Sequence, residues 1–309
     1  MINSVALIGL GAMGVFFAPR LQATLGDEDF CVIAEGSRKE RLQTRGVTLN
    51  GRNYKFTICE PKEGTPKDLI IMAVKYTGLE QAIQDIRQFV GENTQILCVM
   101  NGVESEARVA AEFGWEHILY SYMKISVVMK DGTADFDPDG GKVHFGEKEN
   151  TVYSERVDQI RALFNRCRIP YEIDENMLEG LWFKYACNVG ENLTCAMLGI
   201  PFGAYRVSEP ANQLRIGAMQ EVCRVAAARG IEIPKRRLEE QEKVIRNIPW
   251  KNKPSTLQDL EAGKKTEIEM FAGSMVRMGE ELHVPTPISW VFLQGIHVLE
   301  EKNEGILEE

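Results

Sequence analysis

Ser4-Val5-Ala6-Leu7-Ile8-Gly9-Leu10-Gly11-Ala12-Met13-Gly14 is the stretch on which the fold turns. Residues 4–8 read as a short apolar strand, and the chain from Gly14 to about Leu25 reads as a helix. The three glycines of G-x-G-x-x-G therefore fall in a strand-to-helix turn, where each has a separate task. Gly9 permits the tight turn, Gly11 lets a pyrophosphate approach the backbone, and Gly14 lets helix pack on strand. The N–H groups of the helix's first turn, aligned with its dipole, complete an anion site. Gly9, Gly11, Ala12, Met13 and Gly14 are the expected cofactor-binding residues here. The run is apolar enough to resemble a signal peptide, but it lacks the basic segment of one.

Strand-like runs follow at the spacing of βα units, at residues 30–34, 69–74, 95–100, 118–129 and 142–146, with helical patterns at 79–90 and 103–113. Residues 52–59 read as an extra short strand, paired with 47–49. Ligands of open α/β sheets bind beyond the carboxyl ends of the strands, which is where Lys75 and Asn101 stand. The alternatives are a solvated turn lysine and an Asn-Gly turn dipeptide. After Tyr171-Glu172-Ile173-Asp174 the alternation stops, and long helical periods occupy 177–198, 210–229, 234–245, 266–282 and 289–300. The expected architecture is an α/β Rossmann-type dinucleotide-binding domain (1–174) followed by an all-α substrate and dimerisation domain (175–309).

A net charge of -9 offers nucleic acid or an anionic membrane no attractive overall field. No stretch is long and apolar enough to span a bilayer. The seven cysteines are odd in number and form no C-x-x-C pair. They read as small hydrophobes in a reducing compartment, so a cytoplasmic location is expected. The four histidines show no metal-ligand spacing, and no metal is expected.

Lys184, Asn188 and Asn192 recur every fourth residue in a segment that otherwise reads as a buried helix. Residues four apart drift by about 40° per step, so the three polar groups share one stripe. A wet amphipathic face is the plain alternative. Against it, asparagine costs several tenths of a kcal/mol in a helix, and bulky aromatics flank the stripe. A cation beside amides on a rigid helix suits a small oxygenated anion that is to receive a proton. Further on, Thr266 and Glu269 have capping-box spacing, which gives Glu269 a structural task and leaves Glu267 over. A dipole role at the helix start is the alternative for Glu267.

Taken together, these residues resemble the ketopantoate reductase family (2-dehydropantoate 2-reductases) over nearly the whole chain. The matching pieces are the glycine motif, Val74-Lys75, Asn101-Gly102, Trp182-Phe183-Lys184 with Asn188 and Asn192, and Ser255 through Gln258-Asp259 to Thr266-Glu267-Ile268. The resemblance implies reduction of 2-dehydropantoate to D-pantoate, in pantothenate and coenzyme A synthesis. It casts Lys184 as the general acid on the ketone oxygen and Glu267 as its acidic partner. Lys75 and Asn101 resemble polar groups near the nicotinamide. Asn188, Asn192 and Ser255, with Asn101, resemble the residues that hold the small 2-oxo acid.

The chain departs from the family in places. Ala34-Glu35-Gly36-Ser37-Arg38 puts a glutamate where relatives usually have an arginine. An acid about 20 residues past the glycine motif normally binds the ribose 2′-hydroxyl of NAD, so Glu35 favours NADH. Arg38, at the presumed helix start, suits a 2′-phosphate. The expectation is NADPH held by Arg38, with NADH the alternative. Leu193-Thr194-Cys195-Ala196 replaces a usual Pro-Leu-Thr-Ala, and Phe202 is expected at the substrate's edge. A D-2-hydroxyacid dehydrogenase for another branched or aromatic 2-oxo acid is therefore the second reading. A non-catalytic dinucleotide sensor, a third, has no use for a proton donor. The apolar run 288–299 offers a homodimer face, with burial inside the domain as the alternative.

Overall fold

The computed structural model describes residues 1–125, 127–130 and 132–307. The chain divides into two compact units, Met1–Met177 and Leu178–Glu309. The first contains strands β1 (Val5–Ile8), β2 (Phe30–Ile33), β3 (Val47–Leu49), β4 (Arg52–Tyr54), β5 (Ile58–Cys59), β6 (Leu69–Met72), β7 (Gln95–Cys98), β8 (Ile118–Lys124), β9 (Val128–Lys130), β10 (Thr133–Asp135), β11 (Lys142–Gly146) and β12 (Tyr171–Glu172). Its helices are α1 (Gly14–Asp29), α2 (Gly36–Arg45), α3 (Leu79–Asp85), α4 (Ser105–Phe113) and α5 (Glu155–Cys167). The large sheet has the order β12-β11-β8-β7-β6-β1-β2-β5 and is parallel except where β11 meets β8.

β1, β2, β6 and β7 are buried along their whole length, as parallel strands covered on both faces must be. Pleating sends alternate residues to opposite faces. Val5, Leu7, Val32, Leu69, Ile71 and Leu97 enter one core, with Phe16, Phe17 and Leu21 of α1 and Val157, Ile160 and Phe164 of α5. Ala6, Ile8, Ile33, Ile70, Met72 and Ile96 enter the other, with Leu79, Ala82 and Ile83 of α3 and Val109 and Ala110 of α4. The result is a three-layer α/β sandwich.

Two expected strands divide between sheets. β4 pairs antiparallel with β3 across Asn50-Gly51, both at positive φ, while β5 leaves that hairpin to pair with β2. The expected strand at 118–129 is two strands: β8 stays in the large sheet, and β9 joins β10 in the small sheet β4-β3-β10-β9. Ser126, within that expected run, lies outside the described residues.

The second unit is helical: the remainder of α6 (Met177–Cys187), then α7 (Leu193–Leu198), α8 (Glu209–Ala228), α9 (Lys235–Asn247), α10 (Ser255–Glu261), α11 (Ser274–Glu281) and α12 (Pro287–Asn303). Two π-turns interrupt the helices expected to be regular. Asn188–Asn192 lies between α6 and α7, and Glu269–Gly273 precedes α11. The expected Thr266–Glu269 capping box does not form. Thr266 donates both its N–H and its hydroxyl to Glu300 Oε1, each at 2.7 Å, while Glu269 turns to His297 (2.9 Å) and Arg277 (3.6 Å). The π-turn that starts at Glu269 takes its carboxylate away from the helix entry, and a carboxylate of α12 fills the place. Glu221 of α8 does the same for α12, accepting from the N–H groups of Ile288 (2.7 Å) and Ser289 (2.9 Å).

Candidate active site

The carboxyl ends of β1, β2, β6 and β7 lie side by side. Ile8 is in register with Met72 and with Ile33, and Met72 with Cys98. The loops at 9–14, 34–35, 73–75 and 99–102 consequently leave one edge of the sheet. Gly9 has φ +95°, and a Cβ there would lie 2.5 Å from the carbonyl carbon of Ala73. A Cβ on Gly14 would lie 1.9 Å from Gly9 O. Packing alone therefore explains these two glycines. Gly11 is different: a Cβ there would meet nothing within 4 Å, so the protein's own packing does not require it. A pyrophosphate lying on the backbone would, and the loop fits a dinucleotide in that respect. Ala12 and Met13 complete the turn into α1.

Lys75 is exposed and extended (φ -70°, ψ 154°) at the head of a short turn, Tyr76–Gly78. Asn101 is half-buried, and the positive φ of its dipeptide (+95°) belongs to Gly102. The turn does not account for the asparagine. A network unseen in the sequence joins the two loops. Tyr76 OH donates to Glu104 Oε2 (3.2 Å) and accepts from Arg108 (2.7 Å), whose guanidinium also bonds Glu80 (2.9 Å) and lies over the Tyr76 ring. The neighbour of Lys75 is thus tied to the segment that follows Asn101.

Glu35 is exposed and extended just before α2, with no side-chain cap bond to the helix. Arg38 is exposed in the first turn of α2, with Arg41 and Asp85 within electrostatic reach. Lys39 is held by Glu60 at 2.7 Å, which leaves Arg38 as the cation of that turn.

In the second unit Lys184 is half-buried near the end of α6, and Asn188 and Asn192 are the two ends of the first π-turn. Asn192 Nδ2 donates to Asn188 Oδ1 at 3.1 Å, while Asn188 Nδ2 is buried and has no partner among the described residues. Tyr185, beside Lys184, donates its hydroxyl to Phe271 O (2.6 Å) and approaches Met270 O (3.2 Å) in the second π-turn. The lysine helix is thereby fastened to the segment that Glu267 precedes, and the two π-turns pack on each other. Ser255 is exposed at the first position of α10, which packs against α7 and the first π-turn. Asn188, Asn192 and Ser255 thus sit on elements in contact, and Tyr185 ties the helix of Lys184 to the turn that Glu267 precedes. Phe202 instead packs with Ile200 and Ile248 against Cys195, Tyr205, Ala211 and Ile245, so its ring serves a hydrophobic cluster.

The comparisons with known proteins match both units. A family model described as "Ketopantoate reductase PanE/ApbA" covers residues 5–155, and its C-terminal counterpart covers residues 176–300. This chain belongs to the ketopantoate reductase family. A 2-dehydropantoate 2-reductase from Streptococcus pyogenes is 27% identical over 307 residues, covering 96% of this chain and 97% of the relative. A structure of D-mandelate dehydrogenase with NADH and anilino(oxo)acetate shares the fold, with a TM-score of 0.85 at 20% identity over 97% of this chain and 99% of that one. A dimeric ketopantoate reductase from Staphylococcus aureus superposes with a TM-score of 0.79 at 20% identity over 97% and 99%. The chain is accordingly an NAD(P)H-dependent 2-oxoacid reductase of the 2-dehydropantoate 2-reductase type. Among the described residues no helix is long and apolar enough to cross a membrane.

A further cluster of this reductase lay beyond sequence reading. His144, Glu172 and Asp174 bring three metal-capable donors within 4.8 Å of one another, a grouping set by the β11–β12 register and invisible in histidine spacing. Asp174 accepts from Tyr122 (2.5 Å) and lies 3.0 Å from His144 Nδ1. Burial pushes its carboxyl up, but the bonds from His144 and Tyr122 outweigh that and hold it below the ordinary aspartate range.

Proposed function

We propose that this enzyme reduces 2-dehydropantoate to D-pantoate with NADPH, as a cytoplasmic step of pantothenate synthesis. The observation that carries the reading is the first π-turn. Asn188 Nδ2 is buried and unpartnered there, with its other amide atom already bonded to Asn192, on the same helical run as Lys184. A fixed, unsatisfied amide donor beside a cation is a receptor for an oxygenated anion, because leaving such a donor unpaired costs about 1–3 kcal/mol until a ligand meets it. When bound, the nicotinamide supplies the hydride that the carbonyl carbon receives. Lys184 gives the proton to the ketone oxygen as charge grows on it, a contribution of about 10²–10⁴ in rate. Glu267 is its acidic partner. Asn101, Asn188, Asn192 and Ser255 hold the substrate's carboxylate and hydroxyl oxygens. Gly9, Gly11, Ala12, Met13 and Gly14 seat the pyrophosphate, Lys75 stands by the nicotinamide, and Arg38 takes the 2′-phosphate.

The functional domains are assigned as 1–174 and 175–309. Trp290, Val291 and Val298 of α12 are about half exposed, at 54%, 47% and 51%, and form the proposed homodimer face. The test of substrate is consumption of reduced cofactor against a panel of 2-oxo acids. 2-Dehydropantoate should give the highest kcat/KM. A preference for an aromatic or another branched 2-oxo acid would replace this substrate and keep the reaction class.

A further inference from the structure

The first π-turn has a front and a back. Asn188 and Asn192 are half-buried, whereas Val189, Gly190 and Glu191 between them are buried. The back is gripped closely. A Cβ on Gly190 would lie 2.3 Å from Met219 Cγ and 2.8 Å from Arg215 O, so α8 abuts the turn as only glycine permits. Tyr205 donates its hydroxyl to the main-chain oxygen of Glu191 at 2.8 Å. The Glu191 carboxylate accepts from Gln241 Nε2 at 3.0 Å to each oxygen and from Arg215 Nη1 at 3.3 Å. Arg215, 2% exposed, is also paired with Glu242, bonded to Asn212 (3.3 Å) and set over the Tyr205 ring.

Such a cluster is expensive as packing. Buried ion pairs are often no more stabilising than apolar side chains of the same volume, because desolvation offsets their attraction. What these groups fix is the position of one residue, Glu191, in a turn whose two ends are the asparagines. We infer that Tyr205, Arg215 and Gln241 are positioning residues for the substrate's carboxylate: by holding Glu191 from behind, they keep the Asn188 and Asn192 amides in one geometry. None of the three touches substrate. The inference rests on the reading of Asn188 and Asn192 as substrate ligands.

Tyr205→Phe, which removes one hydroxyl and keeps the ring, is the least disruptive probe, and Gln241→Leu is the second. With 2-dehydropantoate as the varied ligand, each should raise KM by about five- to tenfold, the scale of one lost hydrogen bond. In the same variants kcat should change by less than about threefold and the KM for NADPH by less than about twofold, since only substrate binding is loosened. Arg215→Lys, which keeps the charge and loses the planar fork, should shift KM in the same direction. Asn188→Ala is measured alongside. If it raises KM while Tyr205→Phe and Gln241→Leu lower only the melting temperature, the cluster supports the fold alone and the inference is overturned. If Asn188→Ala itself leaves KM unchanged, the substrate reading fails and takes this inference with it.

Discussion

Glu267 and Glu269 stand two positions apart at the start of one helix, and their surroundings assign them different work. Glu269 is exposed and shared between His297 and Arg277, a surface arrangement. Glu267 is half-buried beside the π-turn fastened by Tyr185, and Glu300 has already met the capping need of Thr266. Glu269→Ala should therefore cost about 0–1 kcal/mol of stability and leave turnover intact. Glu267→Ala should lower kcat by about tenfold or more with stability changed by less than about 1 kcal/mol. Urea melts and steady-state kinetics on the two variants check this; the opposite assignment of effects would make Glu267 a decoration of the helix start.

At the scale of elements, the strands were legible and the π-turns were not. A parallel strand covered on both faces must be an apolar run, and 69–72 and 95–98 can hardly be read otherwise. The glycine loop was legible because strand and helix flank it. Lys184, Asn188 and Asn192 keep the same sequence spacing whether the helix is α or π, and the close seat of Gly190 on α8 is a tertiary contact that spacing does not report. The capping box misled for a related reason: spacing reports local partners, and Thr266 is served by Glu300 from another helix. Glu191 shows what the π-turn costs. Burial pushes its carboxyl from 4.5 up to about 7, with Glu242 adding to the rise and Gln241 and Arg215 opposing it. Between those values the folded chain keeps a proton that the unfolded chain has released. The stability this contributes is complete below pH 4.5 and is lost as the pH rises through about 7. Relative to Glu191→Gln, the wild type should lose on the order of 1–3 kcal/mol between about pH 5 and pH 8, measured by urea unfolding. A difference independent of pH would show that the buried charge is paired without penalty.

At the scale of the whole molecule, the first unit carries the glycine loop and the helical unit carries Lys184, the proposed acid. The coenzyme question lies in the first unit. Arg38, with Arg41 within electrostatic reach and Lys39 diverted to Glu60, is the group proposed for a 2′-phosphate, while the Glu35 side chain makes no cap bond to the helix it precedes. Arg38→Ala should lower kcat/KM for NADPH by about tenfold or more and spare NADH, since a charge-assisted phosphate contact is worth about 1.5–3 kcal/mol. A wild type that already prefers NADH would give the decision to Glu35. The proposed reaction depends on Lys184 giving a proton to the ketone oxygen as hydride reaches the carbonyl carbon. Its most direct test is single-turnover reduction of 2-dehydropantoate, with cofactor oxidation followed in wild type and in a folded Lys184→Ala variant. The variant should react more slowly by about 10²-fold or more, with NADPH still bound. A Lys184→Ala enzyme that oxidises NADPH at the wild-type rate would contradict it.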